Sequence, residues 1–86
     1  MARYRIDVVP SAARALKKLS VDVRRRIGRA IDGLAATPRP SGAHALQVQP
    51  GLLRLRVGDY RIIYSVQDEV LLVLIVRIGL RREVYR

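Results

Sequence analysis

No cysteine occurs in the 86 residues, which excludes disulfides and thiolate metal sites as sources of stability. A chain this short sits near the small end of domains that fold without such staples. Its apolar residues, 50% of the total, must therefore build one core alone or with a partner, and a single domain over residues 1–86 is expected. Lack of cysteine also fits a reducing cytosol. Long apolar runs are missing as well. The longest, Val70 to Val76, falls far short of the ~20 residues that a membrane span requires. Arg3 and Arg5 interrupt the first apolar positions, so no export signal is visible, and a soluble, cytoplasmic protein without a membrane partner is expected. Catalytic groups of the common kinds are scarce too. His44 is the one histidine, in a stretch rich in proline and glycine, and reads as a surface residue. Paired carboxylates, a Ser-His-Asp set, a phosphate-binding glycine loop and metal-ligand spacing are all absent. Neither a cofactor nor a metal is expected.

Acidic residues are few: seven Asp and Glu stand against seventeen Lys and Arg, a net charge of +10. Such an excess on a short chain costs self-repulsion and favours a polyanionic partner, whether nucleic acid, anionic membrane or acidic protein.

The chain alternates between two periods. Tyr4, Ile6 and Val8 alternate with Arg3, Arg5 and Asp7, the pattern of a half-buried strand over residues 3–9. Pro10 and Ser11 then suit a helix start with Ser11 as N-cap. Ala12, Leu16 and Leu19 follow on one stripe. Ser20 reads as a second N-cap, with Asp22 well placed for the helix dipole, and Val23, Ile27, Ala30, Ile31 and Leu34 keep helical spacing. The two helices are expected to form an antiparallel hairpin. Thr37–Gly51 contains Pro38, Pro40, Gly42, Pro50 and Gly51 and reads as a loop. Strands follow at Leu52–Val57, Tyr60–Val66 and Val70–Arg77. The last is apolar on both faces, hence central, and Gly79 is expected to end it before a basic tail. The order is β-α-α-β-β-β, an α+β fold whose mainly antiparallel sheet carries both helices on one face.

Gly58-Asp59 between two alternating runs predicts a two-residue type II′ hairpin. Val57 then lies opposite Tyr60, Arg56 opposite Arg61, Leu55 opposite Ile62 and Arg54 opposite Ile63. Leu53, Leu55, Val57, Tyr60, Ile62 and Tyr64 share the face beneath the helices; Arg54, Arg56 and Arg61 emerge together on the other. Like charges directly opposite each other destabilise a hairpin. A bound anion would reverse that effect, and guanidinium forks match phosphate oxygens. The alternative is an ordinary solvated basic face. Beyond the sheet, Arg81, Arg82 and Tyr85 add further candidates. A tyrosine among arginines can transfer protons, because nearby positive charge stabilises phenolate, though a terminal aromatic packed on the sheet edge would look the same. The third strand would leave Leu72, Leu74 and Val76 near solvent, as an interface does.

Leu53-Arg54-Leu55-Arg56-Val57-Gly58-Asp59-Tyr60-Arg61-Ile62-Ile63-Tyr64 resembles the central signature of the RelE/ParE toxin superfamily, and Gly79-Leu80-Arg81-Arg82-Glu83-Val84-Tyr85 its C-terminal signature. The resemblance covers essentially the whole chain and implies the toxin of a type II toxin–antitoxin pair. For RelE-like members it implies a ribosome-dependent endoribonuclease that cuts mRNA in the A site by 2′-hydroxyl attack; ParE-like members inhibit DNA gyrase instead. On that resemblance Arg61, Arg81 and Tyr85 are the catalytic candidates, with Tyr85 as base, and Arg54 and Arg56 hold the substrate phosphate. An acidic, RelB-like antitoxin is the implied partner in a heteromeric complex, laid over Leu72, Leu74 and Val76. Two departures stand out. Leu80 occupies the place where many relatives carry histidine before the tail arginine, so members that use that histidine as acid or base are poor guides. Arginines also replace some relatives' lysines on the basic strand, which keeps charge and removes a titratable group.

Overall fold

In the computed structural model, which describes residues 3–80, the alternation of the first segment becomes strand β1, Arg5–Val8. Helix α1, Pro10–Lys17, begins two residues earlier than a Ser11 N-cap would place it. Val9, in extended conformation, is the N-cap, and no side chain caps the helix. Ser11 is therefore not the N-cap but already lies inside the first turn. The physical reason is Pro10: its fixed φ suits the first helical position, where its missing N–H costs nothing. Helix α2, Val21–Leu34, starts as the sequence predicts, with Ser20 Oγ accepting from the Val23 N–H at 3.4 Å and Asp22 in the first turn.

Five strands form one sheet. Besides β1 these are β2 (Ala43–Ala45), β3 (Leu53–Val57), β4 (Tyr60–Gln67) and β5 (Leu72–Leu80), in the order β1-β5-β4-β3-β2. β1 runs parallel to β5 and every other pairing is antiparallel. β5 is flanked on both sides, as its apolar composition predicts. The sheet differs from the sequence reading in three places. The stretch read wholly as loop contains β2, because Ala43–Ala45 lies clear of the prolines and, as an edge strand, needs only β3 as neighbour. β5 begins at Leu72, after a 3-10 turn over Asp68–Val70 that Leu71 closes in left-handed conformation at φ 52. Nor does Gly79 end β5: it sits within the strand opposite Arg61.

Both helices pack on one face of the sheet. Ala12 and Ile27, Ile31 and Leu34 meet Ile62, Tyr64, Val73, Ile75 and Ile78 in the main core. Each large apolar side chain buried there contributes roughly 1.5–3 kcal/mol. Tyr64 is fully enclosed and donates its hydroxyl to the Pro38 carbonyl at 2.9 Å, which satisfies the buried group and ties the α2–β2 connection to β4. Next to it, Arg39 grips Asp68 through two hydrogen bonds of 2.8 and 3.1 Å, and the Tyr4 hydroxyl donates to the same carboxylate. These contacts, Arg39 first and Tyr4 second, hold the Asp68 carboxyl down at about 2.

A β-bulge interrupts the β4–β5 ladder. Ile63 pairs with Arg77 while Tyr64 pairs with Ile75, so Val76 is the unpaired extra residue. The bulge inverts the alternation of β5. Val73 and Ile75 face the helices, yet so does Ile78, whereas Val76 joins Leu46, Leu52 and Ile63 in a small apolar cluster on the opposite face.

A cationic cleft at the tip of the β3–β4 hairpin

The hairpin forms in the register that the Gly58-Asp59 turn dictates: Val57 opposite Tyr60, Arg56 opposite Arg61, Leu55 opposite Ile62, Arg54 opposite Ile63 and Leu53 opposite Tyr64. Gly58 adopts φ 61, and Asp59 is not among the positive-φ residues, the combination that defines a type II′ turn. Period two does the rest. Leu53, Leu55, Val57, Tyr60, Ile62 and Tyr64 all face the helical core. Arg54, Arg56 and Arg61 line an open cleft of about 530 Å³ on the other face, together with Gly42, His44 and Gly58.

The three arginines differ in environment. Arg56 is exposed and its Nε donates to the Gly58 carbonyl at 3.0 Å, which pins its guanidinium over the turn. Arg54 is half-buried. Arg61 is only 5% exposed, the one charged residue buried among those described. Its neighbour across β5 is Gly79, which leaves the row Arg56–Arg61–Gly79 without a side chain at its far end. A second row runs His44–Arg54–Ile63–Arg77.

Sequence reasoning missed two residues of this face. In the sequence His44 reads as a surface loop residue; β2 brings it opposite Arg54 and into the cleft lining, still exposed. Arg77 would face the helices if the alternation of Val73 and Ile75 simply continued, and only the bulge turns it to the row of Arg54. Arg77 also borders a groove of about 370 Å³ between α1 and β5, where β1 no longer covers the strand. Nothing in the uniformly apolar run Leu71 to Val76 signals a bulge. Arg81, Arg82 and Tyr85, the other site candidates, lie outside the described residues.

Leu72, Leu74 and Val76 are half-buried. Val76 packs with Ile63, Leu46 and Leu52, while Leu72 and Leu74 pair with Arg5 and Asp7 of β1 and with Gln67 and Ser65 of β4. The face that bears the arginines therefore passes from cationic at the hairpin tip to apolar along β5. Among the described residues no group of three or more His, Cys, Asp or Glu could hold a metal ion, and no helix is long and apolar enough to cross a membrane.

A cleft lined by guanidinium groups has the donor geometry that phosphate oxygens match. The fold matches the RelE–RelB complex of Pyrococcus horikoshii OT3, with a TM-score of 0.82 and 29% identity over 94% of this chain and 98% of that one. It is similar to a mutant of E. coli toxin RelE in the free state, with a TM-score of 0.79 and 26% identity over 99% and 92% of the two chains. It also resembles the RelBE2 toxin–antitoxin complex of Mycobacterium tuberculosis, with a TM-score of 0.80 and 27% identity over 96% and 97%. No curated protein matches the chain at a significant level. The family model described as ParE toxin of the type II toxin-antitoxin system parDE matches residues 6–85. With nearly the whole chain so matched and RelE toxins sharing its fold, the chain belongs to the ParE toxin family, within the RelE/ParE superfamily of type II toxins.

Proposed function

We propose that the protein is a RelE-like endoribonuclease that enters the ribosomal A site and cuts mRNA there, held inactive by an acidic, RelB-like antitoxin. The observation that carries this reading is the direct pairing of Arg56 with Arg61 beside Arg54, around one cleft. Opposed like charges work against the hairpin. A phosphodiester between them turns repulsion into charge-assisted hydrogen bonds.

In the proposed reaction the RNA 2′-oxygen attacks the adjacent phosphorus and the bond to the 5′-oxygen breaks, leaving a 2′,3′-cyclic phosphate and a 5′-hydroxyl. Tyr85 takes the 2′ proton, and solvent supplies the proton to the departing oxygen. Arg54 and Arg56 orient the phosphate, while Arg61 and Arg81 neutralise the charge that grows on the phosphorane and leaving oxygens. An arginine is effectively always protonated, so these groups act by charge and position, not by titration. Leu80 leaves this chain without the histidine that some relatives place before the tail arginine.

The antitoxin is proposed to lie on the apolar part of the same face, over Leu72, Leu74 and Val76. Acidic residues reaching the hairpin would then neutralise the arginines at the same time. The solved relatives from Pyrococcus and Mycobacterium are toxin–antitoxin complexes, which supports a heteromeric assembly for this chain.

Primer extension on translated mRNA tests the reading. Wild-type protein should give cuts positioned by codon, and uncut message with folded protein would refute it. Arg61→Ala should lower cleavage by about 10²–10³-fold, the usual cost of losing one preorganised charge stabiliser; Tyr85→Phe should abolish toxicity while folding survives. The match to the ParE family model favours a second reading, a non-nucleolytic inhibitor of DNA gyrase. Loss of gyrase supercoiling at moderate salt, unchanged by Arg61→Ala, would select it.

A further inference from the structure

Gly58 is approached from two sides. Arg56 donates its Nε to the Gly58 carbonyl at 3.0 Å. From the helical layer, Arg26 of α2 reaches the same residue: a Cβ built on Gly58 would stand 3.0 Å from one terminal nitrogen of its guanidinium. Two guanidinium groups from different elements thus converge on one glycine that lines the cationic cleft. Folding alone gains little from this. Among the described residues the ion pairs within 4 Å are Arg5–Asp7 and Arg39–Asp68, so neither Asp59 in the turn nor Asp22 one turn earlier on α2 forms a direct ion pair with Arg26. One turn further along α2, Arg29 is also exposed. The cationic surface therefore does not stop at the hairpin tip but continues around it onto α2.

We infer that Arg26 is a substrate-positioning residue: it holds a phosphate next along the strand from the one gripped by Arg54, Arg56 and Arg61, where RNA crosses the tip of the β3–β4 hairpin towards α2. This rests on the reading of the cleft as an RNA site. Gly58 is what lets Arg26 come so close to the turn: its missing side chain leaves room for the guanidinium, and a Cβ there would stand 3.0 Å from it.

The test uses 2′-O-methyl RNA oligonucleotides of three to seven nucleotides, which cannot be cleaved because the attacking hydroxyl is blocked. Binding is followed by fluorescence anisotropy over a range of salt. Wild-type affinity should rise as the oligonucleotide outgrows the cleft, and Arg26→Ala should lose that rise several-fold while binding the shortest oligonucleotide as wild type does. Its salt dependence for the longer ones should be shallower by about 0.7, the slope of one phosphate contact on a single strand. Arg26→Lys should recover most of the loss. Arg14→Ala, which removes one exposed charge from α1, should behave as wild type, and thermal melting confirms that each variant folds. Arg26→Ala matching Arg14→Ala at every length, with Arg56→Ala still weakened, would overturn the inference and leave the RNA reading standing. If Arg56→Ala also binds like wild type, both fall together.

Discussion

Asp68 shows how one exposed carboxylate can hold three segments. It accepts from Arg39 on the α2–β2 connection and from Tyr4 just before β1, while it opens the turn between β4 and β5. Arg39 and Tyr4 together lower its carboxyl from an ordinary 3.8 to about 2. The folded value lies below the unfolded one, so the linked stability is fully present above about pH 4 and is lost as pH falls towards 2. Wild type should therefore be more stable than Asp68→Asn at neutral pH, and the gap should close between pH 4 and 2. Urea unfolding across that window checks it, and a carboxyl-carbon titration should place the Asp68 midpoint near 2. A gap independent of pH would show that the contact stabilises by shape and not by charge. The same contact raises the Tyr4 hydroxyl, because its hydrogen bond to Asp68 favours the protonated form. That contribution has the opposite sign: it is present at neutral pH, while Asp68 is ionised, and is lost as pH climbs through the raised tyrosine value.

The β3–β4 hairpin is the element on which the site depends, and its turn depends on Gly58. At φ 61 a side chain is strained, and Arg26 leaves it little room. Gly58→Ala should cost about 1–2 kcal/mol, read as a lower urea midpoint with unchanged slope. This hairpin was also the most legible part of the chain. Gly-Asp between two strictly alternating runs fixes both turn and register, so the grouping of Arg54, Arg56 and Arg61 follows from local chemistry. Ser20 and the stripe of α2 are local signals of the same kind. What stayed illegible depends on partners distant in sequence. β2 exists because β3 offers it an edge, and three residues carry too little pattern to announce it. The bulge at Val76 answers a mismatch between β4 and β5, so no count along β5 alone places Arg77. Arg26 was hidden for a related reason: on a helical wheel it is one more exposed arginine, and only the packing of α2 over the hairpin brings it to Gly58.

At the scale of the whole molecule, a charge of +10 on 86 residues should make the folded state sensitive to which anion is present, not only to how much salt. Chloride screens the self-repulsion of all the cations alike. Phosphate does this too, and on the proposed reading it also binds in the cleft between Arg54, Arg56 and Arg61, a site that the unfolded chain does not possess. An anion that binds only the folded state stabilises it by RT ln(1 + [L]/Kd), about 1.4 kcal/mol at ten times Kd. For a domain of this size that corresponds to a rise in melting temperature of roughly 6–11 °C. Thermal melts in phosphate and in chloride at matched ionic strength should thus separate, with phosphate higher. The double variant Arg54→Gln/Arg56→Gln should bring the two curves together, although its reduced charge raises stability in chloride. Coincident curves for the wild type would mean that the cleft is a solvated basic face with no preference for phosphate. A separation that survives in the double variant would place the phosphate site elsewhere on the molecule.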